Sequence, residues 1–152
     1  MIASTIYNQL KTTLENNSNL SEYIEHIFDG KRFYIEPDSM PCILLQPVSD
    51  NVVEQEYNNV KKVWMTLDVI VITEAQEHPE YCIVGEKGKG YYGILDITND
   101  IRACLESSNT LGDYVIDTKI ETIEFDVMTI DNFATQSARL PVKILYQQVE
   151  GV

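Results

Sequence analysis

Apolar residues recur every four positions at the start of the chain, at Ile2, Ile6, Leu10 and Leu14, with Asn, Gln, Lys, Thr and Glu between them. That spacing stacks side chains on one face, so it predicts an amphipathic helix over about residues 2–16. The Asn16-Asn17-Ser18-Asn19 cluster ends it. Asn19 and Glu22 resemble a capping pair, and Leu20, Ile24, Ile27 and Phe28 predict a second short helical face, stopped at Asp29-Gly30.

The pattern then becomes strand-like. Pro41 to Pro47 brackets the apolar run Cys-Ile-Leu-Leu-Gln, which predicts a strand covered on both faces. In the β-rich stretch from Val60 to Thr73, Val63, Met65, Leu67, Val69 and Val71 share one face. Thr66 and Asp68 occupy the other, broken by Ile70 and Ile72. Ser49 to Asn59 is polar and acidic and reads as a loop, long for a tight hairpin. Residues 74–90, with Pro79 and three glycines, read as another loop, and Ile94, Ile97, Ile101 and Leu105 predict a helix from about Tyr91 to Glu106.

Two further strands are predicted over about 114–127 and 137–148. In the first, the apolar phase is even up to Ile120 and odd from Ile123, which predicts a β-bulge near Glu121-Thr122. In the second, Ala138, Leu140, Val142, Ile144 and Tyr146 face the core. Pro141 lacks a ladder donor, which predicts an edge position for that strand or a start near it. The order α-(α)-β-β-α-β-β predicts one α+β domain over residues 1–152, a mainly antiparallel four-stranded sheet with helices on one face.

A chain of 152 residues with 44% hydrophobic and 23% charged residues has the composition of a folded soluble domain. Its formal charge of −13 argues against a nucleic-acid surface and against docking on anionic lipid, since both need clustered Lys and Arg. Cys42, Cys82 and Cys104 are odd in number and widely spaced, which reads as reduced thiols in a cytosolic setting. The first residues lack a signal-peptide pattern and the apolar runs are too short for a membrane span, so the expectation is an intracellular protein.

Candidate chemistry is sparse. Gly85-Glu-Lys-Gly88-Lys-Gly90 precedes a helix, where backbone N–H groups can hold phosphate. Its spacing matches neither the dinucleotide fingerprint nor the P-loop, and a flexible connector is the better reading. His26 and His78 lack a nucleophile or orienting partner in their sequence context. The acids Glu54, Glu56, Glu74, Glu77 and Glu80 lack the order of a calcium loop. Trp64 has two readings, a cover for a helix or an interface anchor.

Several segments together resemble the tail-terminator and neck (head–tail joining) proteins of long-tailed bacteriophages. They are the N-terminal helix, P-C-I-L-L-Q-P (41–47), W-M-T-L-D-V-I-V-I-T (64–73), K-G-K-G-Y-Y-G-I-L-D-I-T-N-D-I (87–101) and R-L-P-V-K-I-L-Y (139–146). The resemblance covers most of the chain, and its motifs are structural rather than chemical. It implies a subunit without reaction, cofactor or bound metal that forms a ring, commonly of six. Such a ring caps the tail tube, ends tube polymerisation and offers a surface to the head connector. It also implies assembly in the host cytoplasm and residence in the virion tail or neck.

Duplex DNA would pass through the ring without specific binding, and the acidic balance suggests a lumen of carboxylates that repels phosphate. The expected contacts to the ring, the tube protein and the connector lie in two loops, 49–62 and 128–136. The first carries Val52, Val53, Glu54, Glu56, Tyr57, Lys61 and Lys62, the second Ile130, Asp131 and Phe133. A head-completion protein, a tail-completion protein of a contractile particle and a small cytosolic ligand-binding domain are the alternatives.

Overall fold

In a computed structural model of the chain, which describes residues 2–32, 34–57, 60–107 and 115–149, the first four-residue spacing becomes helix α1 (Ile2–Glu15). Ile6, Leu10 and Leu14 are buried on its inner face. Helix α2 (Ser18–Ser21) is a single turn whose cap is Asn17, not Asn19: the Asn17 side chain accepts from the N–H groups of Asn19 and Leu20, each at 3.0 Å. Asn17→Ala is expected to lower stability by about 1 kcal/mol, read as a lower urea midpoint at unchanged slope.

The second helical face ends there. Ile27–Asp29 form strand β1, which runs parallel to β2 with Ile27 opposite Ile43 and Asp29 opposite Leu45. Ile27 packs toward the helices and Phe28 toward the opposite side of the sheet. Two adjacent apolar residues suit a helix stripe or a strand covered on both faces, so spacing alone could not choose.

The sheet is mixed and six-stranded, which corrects the expected four-stranded antiparallel sheet. Beyond β1 it comprises β2 (Cys42–Tyr57), β3 (Val60–Glu74), β4 (Val115–Ile120), β5 (Glu124–Ile130) and β6 (Phe133–Val149). The order is β1-β2-β3-β6-β4, with β5 also paired to β6. The helices lie against one face, consistent with α+β layering.

Three local readings fail for identifiable reasons. Ser49 to Tyr57 is not a loop but the outer half of β2, paired with β3 through three register shifts. Val48, Val52 and Val53 are about half exposed there, so no buried face imposes an alternation on the sequence. The 128–136 segment is a hairpin, its two-residue turn at Asp131 and Asn132 having φ of 49° and 64°, the geometry that matches strand twist. Pro141 sits in a central strand, between β3 and the β4/β5 side.

Pro141 is tolerated because the strand expected over 114–127, with a bulge near Glu121-Thr122, is instead two strands that break at that place. Ile120 pairs with Val142 and Glu124 with Arg139, so residues 121–123 oppose only 140 and 141. The Pro141 carbonyl accepts the Glu121 N–H at 2.8 Å. The side of Pro141 that lacks a donor therefore faces the break between β4 and β5, where the ladder is already interrupted.

The main core joins Ile43, Leu45, Leu67, Val69, Leu140, Val142 and Ile144 to the inner faces of α1, α2 and α3 (Ile94–Ser107). Helix α3 begins at Ile94 rather than Tyr91, because the 91–93 backbone passes against residues 83–85. On the opposite face a smaller cluster joins Ile35, Cys42, Leu44, Ile70, Ile72 and Ile130. Among the described residues no α-helix packs on that side, so Ile70 and Ile72 interrupt the polar phase of β3 to join this smaller cluster.

Candidate partner-binding site

The two expected contact segments occupy opposite ends of the same sheet. Strand β3 starts with Val60 opposite Val149 and finishes with Glu74 opposite Thr135. The β2–β3 tip therefore lies at one end of the long strands and the Asp131–Asn132 turn near the other. Fourteen residue steps separate the two ends of β3, roughly 48 Å of extended chain.

The ten expected contact residues divide accordingly. Val52 and Val53 are 50% and 49% exposed on the outer half of β2. Lys61 and Lys62 stand beside them on β3, opposite Gln55 and Glu54. Glu54, Glu56 and Tyr57 belong to β2, and their side chains lie outside the described residues. At the other end Asp131 is exposed on the turn and Phe133 is half-buried. Ile130 is a correction: at 5% exposure it is core of the smaller cluster and not a contact residue.

Sequence reasoning missed a groove of about 450 Å³ on the helix-free face. Leu44, Ile70 and Ile72 form its apolar floor. Exposed Lys31 and Arg32 flank it beyond β1, and exposed Glu124 and Asp126 flank it on β5. The Arg32 guanidinium lies 4.2 Å over the Phe28 ring. Arg139 reaches buried Asp68 at 3.2 Å and Glu124 at 3.1 Å, and Glu124 first, then Asp68, raises its already high pKa. The only sequence signal for this groove was the Ile70/Ile72 interruption.

Trp64 faces the same side. Lys119 and Lys143 lie 5.2 and 5.1 Å from its ring centroid, so it packs under two cations and covers no helix.

The glycine segment is held by an internal carboxylate. Asp96, in the first turn of α3, accepts from the N–H groups of Gly85 at 2.7 Å and Gly93 at 3.0 Å. Its bond to Gly93 is half of a capping box. The next two N–H groups, of Ile94 and Leu95, donate to the Cys82 and Ile83 carbonyls at 2.8 and 3.1 Å, so these four donors are already bonded within the chain. Lys87 is 3.4 Å from buried Asp100, which also accepts the Tyr23 hydroxyl at 2.6 Å. Burial, then this bond, pushes the Tyr23 hydroxyl pKa far up, so it stays a donor.

Neither imidazole is placed like a catalytic base. His26 is exposed and stacks on Phe28, while His78 packs against Tyr91 and lies 3.8 Å from Glu80. Burial pushes the Cys42 thiol up to about 12, which suppresses its nucleophilic thiolate form. Among the described residues no group of three or more His, Cys, Asp or Glu is arranged to hold a metal ion. No helix among them is long and apolar enough to cross a membrane. In comparisons with known proteins, no family model and no curated protein matches the chain.

Proposed function

We propose that the chain is a structural subunit of a phage or prophage-derived particle: a tail terminator that assembles into a ring, of six copies, on the end of the tail tube. The ring stops further tube addition at one end and receives the head connector at the other. The observation that carries this reading is the placement of two hairpins at opposite ends of one continuous sheet. A subunit that must be joined at both ends of an axial assembly needs two separated contact surfaces on one rigid element. The Asp96 carboxylate at the start of α3 supports a non-enzymatic role, because it occupies the Gly85 and Gly93 N–H groups and puts a negative charge where a phosphate ligand would sit.

The acidic chain fits a lumen that lets DNA through by repelling its phosphates. The test is particle morphology by negative-stain electron microscopy. Particles made without the protein are expected to carry overlong tubes that fail to join heads. Normal tube lengths joined to filled heads would eliminate the reading, and normal tubes beside unjoined or leaking heads would move the subunit to the neck.

A further inference from the structure

Two lysines on the face that carries Trp64 repel each other across a strand pair. Lys119 on β4 is directly opposite Lys143 on β6, and like charges in that position weaken a sheet. Both ammonium groups converge on one ring, at 5.2 and 5.1 Å from the Trp64 centroid. Lys143 reaches exposed Glu121 at 3.7 Å, but exposed Lys119 has no carboxylate partner among the described residues. Carboxylates are not scarce in this chain, with 24 Asp and Glu against 11 Lys and Arg. Trp64 itself is half-buried, and tryptophan is enriched at the energetic centres of interfaces.

The opposite imbalance lies toward the other end of the sheet. Asp38, Glu74 and Glu77 line a pocket of about 280 Å³ with Tyr81, Tyr91 and His78, and neither Lys nor Arg lines it. The Glu74 carboxylate is oriented by the N–H groups of Gln76 and Glu77, at 3.0 and 2.9 Å. Asp38 and Glu77 are exposed, and their carboxylates have no partner among the described residues. His78 is engaged with Tyr91 and Glu80. Carboxylates set among aromatic rings receive an ammonium group both by charge and by cation–π attraction.

One chain cannot join the two surfaces. Trp64 and Glu74 are ten residue steps apart on β3, roughly 33 Å along one strand. Copies of a subunit with a formal charge of −13 repel at long range, so a contact between them needs its cations opposite dense acids. We infer that Lys119 and Lys143, around Trp64, dock against the pocket of Asp38, Glu74 and Glu77 on a second copy of this chain. Each surface then relieves the like-charge repulsion in the other. The contact is head-to-tail, since the two surfaces differ, so it closes into a ring or runs on as a filament. It rests on the ring reading only for closure.

Trp64 is the single tryptophan of the chain, so its fluorescence reports on this contact directly. Sedimentation velocity and Trp64 emission over a dilution series of the full chain and two charge-reversed variants test it. The basic-face variant carries Lys119→Glu and Lys143→Glu, the pocket variant Asp38→Lys and Glu77→Lys. Wild type is expected to self-associate with an emission change at the same midpoint, and each variant alone to associate at least about tenfold more weakly. An equal mixture of the two variants is expected to regain the wild-type association, because each altered surface then meets its complement. Lys119→Gln and Glu77→Gln, which remove charge with little change in size, replace any reversal variant whose circular dichroism spectrum or urea midpoint falls.

Wild-type association by either variant alone overturns the contact. So does a mixture that stays dissociated, an association that leaves Trp64 emission unchanged, or a wild type monomeric up to about millimolar concentration. Particles built with the same variants separate this inference from the function proposed above. Tubes capped at normal length by a variant that no longer associates would overturn the contact as a ring contact and leave the terminator reading intact.

Discussion

Gly93→Ala is expected to destabilise the protein by about 3 kcal/mol, at the upper end of the usual range for overpacking. A Cβ built at Gly93 falls 2.3 Å from the Ile83 carbonyl oxygen and 2.8 Å from the Gly85 nitrogen. Both are backbone atoms, so no rotamer change relieves the contact. Separating the two segments would also stretch the Asp96 bonds to Gly85 and Gly93 and expose the start of α3. Gly85→Ala should behave alike, its Cβ meeting the Tyr91 carbonyl oxygen at 2.2 Å. Gly88→Ala is the control: nothing lies within 4 Å of its Cβ, and its effect should stay within about 0.5 kcal/mol. Equal urea midpoints for Gly93→Ala and Gly88→Ala would show that the 83–93 crossing is not as tight as described.

This crossing also marks how far the sequence could be read. Gly85, Gly88 and Gly90 stood out because they cluster, yet the two glycines that backbone contact requires are Gly85 and Gly93. The contact is between segments, so spacing within the loop gave no sign of it. Helices α1 and α3 and the inner faces of β3 and β6 were legible because each buries one face and the burial writes a period into the residues. The outer half of β2 was not, because it pairs with β3 while its valines stay half exposed. The short parallel β1 was hidden by its length, only Ile27–Asp29.

The candidate site divides in the same way. Val52, Val53, Lys61 and Lys62 could be chosen from one stretch because apolar and charged residues mix where a loop seemed to run. The groove needed residues from positions as far apart as Lys31 and Arg139, assembled by strand pairing. Ile130 was assigned to a surface because it has no clear strand phase in what read as a loop, but the Asp131–Asn132 turn folds it back onto the smaller cluster. A turn reverses the chain within two residues, and apolar phase is lost across so short a span.

Tyr146→Ala is expected to cost about 3–5 kcal/mol, the range for removing a large buried ring, while Tyr146→Phe should cost only about 0.5–1.5 kcal/mol. Tyr146 is fully buried among the core side chains, opposite Val63 on one side and Val115 on the other. Its hydroxyl donates to the Asp50 carboxylate at 3.1 and 3.2 Å, where the outer half of β2 begins. Burial, then the Asp50 charge, raises the hydroxyl pKa, so the proton needed for this bond is retained at neutral pH. The ring therefore supports the fold, and the hydroxyl ties the fold to the hairpin. Amide hydrogen exchange can separate the two roles. Tyr146→Phe should speed exchange in β2 beyond Pro47 while leaving Leu67 to Ile72 protected, because their burial does not depend on Asp50. An equal change in both segments would mean that the hairpin and the core open as one unit, and that its base is not set by this bond.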